Sequence, residues 1–182
     1  DVELLAPPID AFLAAVPELE RALGMGVLPI TAMSEEDLAA VTGLSADRAR
    51  LAKLRRASLP FLLRDAGTAL PPGMSGEREP VNGFRITRGG RFHHLVASTT
   101  DKGTAARRVA GRYMRMWGWS SLVSGGIGDN ENDIPLLRNV TLPVLVQKHD
   151  GGYAACDFKV TRMEGMGPAG FSEAVAWLCA GE

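Results

Sequence analysis

Residues 124–137 read Ser-Gly-Gly-Ile-Gly-Asp-Asn-Glu-Asn-Asp-Ile-Pro-Leu-Leu, with three carboxylates and two asparagines packed into positions 129–133 behind a small apolar run. Carboxylates crowded in this way repel one another unless a cation sits among them. Hard cations such as Mg²⁺ favour an all-oxygen setting. Asp129 and Asp133 are four apart, so they face the same way if a helix begins at once. Gly128 is expected to let the backbone turn tightly, and Asn130 and Asn132 to hold the carboxylates by hydrogen bonds. A plainer reading also accounts for the acids: on the first turn of a helix over 134–140 they complement the helix dipole and need no metal. Asp129, Glu131 and Asp133 alternate as in a calcium loop, but that loop requires glycine at its sixth position and Ile134 stands there.

The second such stretch is Thr-Thr-Asp-Lys-Gly-Thr, residues 99–104. Lys102 falls at a strand-to-helix junction, where backbone N–H groups and the dipole already favour an anion. An ammonium added there makes a phosphate clamp. The segment is not a phosphate-binding loop of the Gly-Lys-Ser/Thr kind, because the order is Lys-Gly-Thr. A lone lysine is ordinarily a solvated one. The combination is what carries weight: Lys102 and Asp129 are 27 residues apart, the length of one strand–helix–strand unit, which would set both at the same end of neighbouring strands.

The elements that must position these groups can be read from apolar spacing and breakers. Residues 8–24 read as one helix, ended by Gly24 and Gly26. Ser34 opens a second helix with acids on its first turn, stopping near Gly43. Ser45 opens a third over 46–57. Pro60–Arg64 reads as a short strand and 67–80 as a Gly/Pro-rich loop. Residues 83–98 read as a hairpin about Gly89-Gly90. Past Ser98 the pattern alternates. A long helix starts with Thr99, Thr100 or Asp101 as cap and ends at Gly118; strands follow at 120–126, 141–147 and 158–161, a short helix at 134–140 and a final helix over 167–181. The second half is thus α/β with parallel strands, the first half helices with a small antiparallel sheet, and the two modules are expected to meet near residue 97.

Bulk properties set few limits. The 182 residues are 46% hydrophobic and 23% charged, with a net charge of −1. That balance gives no basic face for nucleic acid or an anionic membrane, and no apolar run approaches the roughly 20 residues of a span. Cys156 and Cys179 form no framework and suit free thiols in a reducing, cytoplasmic setting. The first residue is Asp1 rather than methionine, so the encoded N-terminus is expected upstream.

Taken together, Asp-Lys-Gly-Thr-Ala followed by Gly-Ile-Gly-Asp-Asn-Glu-Asn-Asp-Ile-Pro-Leu-Leu resembles the third and fourth motifs of the haloacid dehalogenase superfamily of phosphatases, over residues 97–150. More narrowly, the stretches Gly89–Leu95, Thr99–Val109, Leu142–Tyr153, Met33–Lys53 and Pro60–Leu63 resemble the mannosyl-3-phosphoglycerate phosphatases. The resemblance implies an α/β fold: a partial Rossmann-like core over 98–182 with a mostly α+β cap over 1–97. It implies Mg²⁺-dependent hydrolysis of a phosphomonoester, most narrowly mannosyl-3-phosphoglycerate, through an aspartyl-phosphate. Asp129 would ligate Mg²⁺, Asp133 would support the metal shell, Asn132 would hold neighbouring groups, and Lys102 would neutralise the phosphate. The partner implied is a small phosphorylated sugar acid.

One part of the family pattern is missing. The superfamily nucleophile lies in an Asp-x-Asp-Gly-Thr segment, and the nearest match, around Gly67-Thr68, sets Arg64 and Ala66 where the aspartates belong, with Asp65 at the free position. The second motif's Ser or Thr is not identifiable either. The 182 residues are therefore expected to lack the first strand with its nucleophile, to be inactive alone, and to leave the strand at 120–126 as an apolar edge. Arg55, Arg56, Arg88, Arg91, His93 and His94 are the cap candidates for a substrate carboxylate or hydroxyls, chiefly Arg91, Arg56 and His94. His93 and His94 are successive strand residues and point to opposite faces. Three other readings remain: a non-catalytic sugar-phosphate binding module, a phosphatase for another phosphorylated sugar or glycerate derivative, and a plain α/β domain with a structural cation or none.

Overall fold

A computed structural model describes residues 3–65, 67–76, 78–88 and 91–180. The chain divides into two compact units, Asp1–Thr100 and Asp101–Glu182, so the break falls three residues past the boundary expected near 97.

The first unit carries a four-stranded antiparallel sheet in the order β1-β2-β4-β3, from Val27–Pro29, Leu59–Leu63, His93–Ala97 and Phe84–Arg88. The β3–β4 pairing runs from Phe84 opposite Ala97 to Arg88 opposite His93, as the hairpin pattern predicts, while the Gly89-Gly90 turn lies outside the described residues. Two helices, α1 (Ile9–Ala14) and α2 (Val16–Leu23), replace the single helix expected over 8–24. The cause is Pro17, which lacks an N–H and would clash with the carbonyl of residue 13 in a continuous helix. Phe12, Leu19 and Leu23 from these helices close over Val27, Leu59, Phe61, Ile86 and Leu95 on one face of the sheet. The other face takes Leu28 and Leu62 into a second cluster with Ile30, Met33, Leu38 and Ala49. That cluster is held by α3 (Glu35–Thr42) and α4 (Ala46–Ala52). Ser34 caps α3 by accepting the Asp37 N–H, and Gly43 ends it in the left-handed region at φ 76°. Helix α4 stops at Ala52, five residues short of the expected end, where Lys53 turns back to donate to the Met33 carbonyl at 2.7 Å and the chain heads for β2.

The second unit is an α/β layer on a three-stranded parallel sheet, β5-β6-β7, formed by Gly125–Gly128, Leu142–Gln147 and Thr161–Met166. Successive β6 residues alternate between two cores: Val144 and Val146 face Met163 and Ala174, whereas Leu145 faces Leu137 and Ala154. On the first face lies α7 (Gly167–Ala180); on the second lies the short α6 (Ile134–Leu137). Two strands depart from expectation. The last one begins at Thr161 rather than Phe158, because Phe158 and Val160 pack into the second core from a loop. The strand expected over 120–126 is instead Gly125–Gly128, and Val123 is 70% exposed.

Packing explains the shift. A Cβ on Gly125 would stand 2.8 Å from Leu178 and one on Gly126 2.9 Å from Val140, so the start of this strand is clamped by neighbours and these two positions must be bare backbone. Its outer edge has no strand beside it among the described residues. Helix α5 (Lys102–Trp117) is equally underpacked: Gly103 is its buried residue, and Val109, Tyr113, Met116 and Trp117 are exposed.

Candidate functional site

Helix α5 sets the first group of the site. Asp101, the last of the three possible caps, accepts the Thr104 N–H at 2.6 Å and fixes the helix start at Lys102. Gly103 follows because nothing larger fits: a Cβ there would lie 2.1 Å from the Pro135 carbonyl oxygen. The first turn of α5 is thereby pressed onto α6. Arg107 locks the contact by donating to the Asn139 side chain at 2.5 Å, while Asn139 donates to the Pro135 carbonyl at 2.7 Å.

The acidic loop sets the second group. It leaves the carboxyl end of β5 and forms a 3₁₀ turn, Glu131–Asp133, before α6. Asp133 is turned inward and only 6% exposed. Its Oδ1 accepts from the Lys102 ammonium. Its Oδ2 accepts the backbone N–H groups of Asp129 and Asn130, both at 3.2 Å. The carboxylate is therefore held by backbone and lysine rather than by the amide side chains of Asn130 and Asn132. Gly128 is needed for room, not for a turn: its φ is not positive, and a Cβ on it would stand 2.3 Å from the Asp133 Cβ.

Lys102 and Asp133 thus come together as their spacing suggests, but not by the expected route. The strand before Lys102, β4, belongs to the antiparallel sheet, so no strand of the parallel sheet leads into it. Instead α5 docks on α6 and lays Lys102 over the loop. Asp129 and Asn132 are exposed at the strand end, and the Asp129 carboxylate has no hydrogen-bonding or ionic partner among the described residues.

Lys148, just beyond β6, is a residue that motif spacing alone misses. Its ammonium reaches the Glu131 carboxylate at 2.6 Å. Their hydrogen bond holds the Glu131 carboxyl below its ordinary range and the Lys148 ammonium above its own. A basic residue immediately past a strand parallel to β5 is the signal that could have found it.

Among the described residues, no group of three or more His, Cys, Asp or Glu side chains is gathered to hold a metal. The donor set still fits a hard cation in part. Mg²⁺ keeps several waters and is commonly held by one or two carboxylates plus substrate phosphate oxygens. Here Asp129 is free to bind, and Asp133 stands fixed beside it.

The cap candidates lie in the first unit. Arg91 donates to the Val41 carbonyl at 2.7 Å, tying the segment just ahead of β4 to the end of α3. His93 lies on the core face against Phe61, ring centroids 5.6 Å apart, with Nδ1 buried and unpartnered. His94 occupies the other face. Burial lowers its pKa, and the Arg55 charge lowers it further. Arg55 itself donates to Ser58 at 3.2 Å, and Arg56 is exposed. Arg88 lies opposite His93 in the β3–β4 ladder.

No family model matches the chain. It is 35% identical over 144 residues to the glucosyl-3-phosphoglycerate/mannosyl-3-phosphoglycerate phosphatase of Persephonella marina, covering 79% of this chain and 52% of that protein. It is 31% identical over 160 residues to the protein of the same name from Methanococcoides burtonii, covering 87% of this chain and 57% of that one. The chain spans about half the length of these curated relatives. Over most of its own length, then, this chain is a homologue of the glucosyl-3-phosphoglycerate/mannosyl-3-phosphoglycerate phosphatases.

Proposed function

We propose that the second unit supplies the cation and phosphate side of a phosphomonoesterase site of the haloacid dehalogenase kind, acting on glucosyl- or mannosyl-3-phosphoglycerate. The observation that carries this reading is the Lys102–Asp133 pair, which joins the two motifs in one place at the carboxyl end of β5 and leaves Asp129 free. The substrate class is supported by the relatives, both glucosyl-3-phosphoglycerate/mannosyl-3-phosphoglycerate phosphatases. On this reading the parallel sheet is part of a Rossmann-like core and the first unit is its cap, and the free cysteines Cys156 and Cys179 suit a cytoplasmic enzyme.

Asp129 would hold Mg²⁺, with Asp133 fixing the loop behind it and Asn132 at its rim. The cation, when bound, supplies positive charge against phosphoryl oxygens. Lys102 neutralises a second side of the phosphate and orients it, its own ammonium kept in place by Asp133. Both act as preorganised charge, which is the larger part of phosphoryl-transfer catalysis. Arg91, Arg56 and His94 are the residues of the first unit proposed to meet the substrate carboxylate or hydroxyls.

A second reading applies to these 182 residues taken alone. The 182 residues contain no Asp-x-Asp-Gly-Thr segment to supply a nucleophile, so on this reading the chain by itself would bind a sugar phosphate rather than hydrolyse it. Calorimetric titration with Mg²⁺, parent against Asp129→Ala, tests the cation site. A phosphate-release assay on mannosyl-3-phosphoglycerate with Mg²⁺ separates the two readings. Equal Mg²⁺ binding by both proteins would sink the site assignment.

A further inference from the structure

The three carboxylates of the acidic loop are not equivalent. Asp133 is engaged by Lys102 and two backbone N–H groups. Glu131 is engaged by Lys148 at 2.6 Å. The Asp129 carboxylate is exposed and takes no hydrogen bond or close ion pair among the described residues, although it lies within the field of the Lys148 ammonium.

The Glu131–Lys148 pair is a product of sheet register. Gly128 lies opposite Leu145 in the parallel β5–β6 ladder. Glu131 and Lys148 each stand three residues past that rung, so they leave the sheet at the same level. The Lys148 backbone is also fixed. Its N–H donates to the Gly152 carbonyl at 2.8 Å and its carbonyl accepts the Gly151 N–H at 3.0 Å. That turn closes because Gly151 takes φ 81°, a left-handed value that a side chain would resist. From this anchored turn the Lys148 side chain, 24% exposed, reaches back over the loop.

We propose that Lys148 is a positioning residue of the site: it draws Glu131 aside and offsets its charge, so that Asp129 is the one carboxylate offered to a hard cation and the site stays receptive to an anion. The inference rests on the reading that Asp129 takes a cation. Without Lys148 the loop would carry an extra unit of uncompensated negative charge beside that cation. A divalent ion would then bind more tightly, and a phosphate beside it less tightly. A lysine that only braced the loop would have the opposite signature, since a loosened loop weakens both ligands.

The test is calorimetric, on the 182-residue chain, with Mg²⁺ and then with inorganic phosphate in saturating Mg²⁺. Lys148→Met should tighten Mg²⁺ by roughly five- to tenfold and weaken phosphate by a similar factor, the size expected for one screened charge. Lys148→Arg should keep both affinities. Glu131→Gln added to Lys148→Met should return the Mg²⁺ affinity to within about twofold of the parent, because it removes the charge that Lys148 had offset. Weaker or unchanged Mg²⁺ binding by Lys148→Met, or no return in the double variant, overturns the proposal. Asp129→Asn serves as the reference. If it abolishes Mg²⁺ binding while Lys148→Met changes nothing, Lys148 alone is misassigned. If it leaves binding intact, or the parent binds no Mg²⁺, the cation site itself is wrong and the inference falls with it.

Discussion

Lys102 and Asp133, 31 residues apart, meet as a half-exposed ammonium on a buried carboxylate whose second oxygen takes the N–H groups of Asp129 and Asn130. Asp133 is thus a strut of the loop as well as a charge. Asp133→Ala should destabilise the protein by about 1–3 kcal/mol, since it removes the buried acceptor that ties Lys102 and two backbone N–H groups of the loop together. Asp129→Asn should change stability by less than about 0.5 kcal/mol, as befits an exposed side chain with no partner. Urea denaturation of the two variants measures both. A costly Asp129→Asn beside a harmless Asp133→Ala would invert the roles of the two aspartates.

Lys102 should matter to the chemistry more than to the binding. In a catalytically complete enzyme, Lys102→Ala should lower kcat by on the order of 10²-fold, by comparison with the loss of one transition-state donor. Lys102→Arg should recover little of that, because a planar fork does not replace a compact ammonium. Steady-state kinetics decides: a rise in KM at unchanged kcat would make Lys102 a ground-state binder.

The docking of α5 on α6 can be tested without touching a charge. Gly103→Ala puts a methyl group 2.1 Å from a backbone oxygen, which cannot move as a flexible side chain can. It should cost about 2 kcal/mol or more by forcing the helices apart. Gly111→Ala, on the same helix, meets only the end of the Arg115 side chain at 3.4 Å. That change should stabilise by about 0.5–1 kcal/mol through helix propensity. Thermal melts that fail to separate the two would count against the close approach.

Acid should weaken the first unit through its histidines. Burial lowers the pKa of His93, and Arg88 lowers it further; burial, Arg55 and His93 do the same for His94. For such groups the unfolded chain takes up protons at a higher pH than the folded one. Stability is therefore full above the unfolded value of about 6.5 and falls as pH drops from there toward the folded values. His93→Phe removes one titrating group and the buried, unpartnered Nδ1, and should flatten the fall in melting temperature between roughly pH 7.5 and 5.5. An unchanged slope in that variant would assign the effect elsewhere.

Much of this was legible in the sequence where one residue type has one local use. Gly118 ends α5, with its start narrowed to Thr99, Thr100 or Asp101, Ser34 and Gly43 bracket α3, and the β3–β4 pairing follows from two short runs about Gly89-Gly90. The break at Pro17 was not read, because the apolar spacing of Phe12, Leu19 and Leu23 continues through it and favours one helix. Strand β5 was harder to read. Strand signals are side-chain signals, and this strand is mostly glycine, with neighbours pressed against its start. In the site, Lys102, Asp129 and Asp133 could be named from spacing. The division of labour among the carboxylates could not, because it depends on which N–H groups and which lysine each one meets in space. The Lys148–Glu131 pair depends on a parallel register that no local pattern encodes.

That register has a consequence for insertions and deletions. Glu131 and Lys148 meet because each lies the same number of residues beyond the Gly128–Leu145 rung. Adding or removing one residue on either side would part the pair even if every side chain were kept. The Gly- and Pro-rich loop at 67–73, mostly exposed, has no such constraint and can lengthen at small entropic cost. The acidic loop and the segment after β6 therefore act as a matched pair of rulers, free to vary in spelling but not in length.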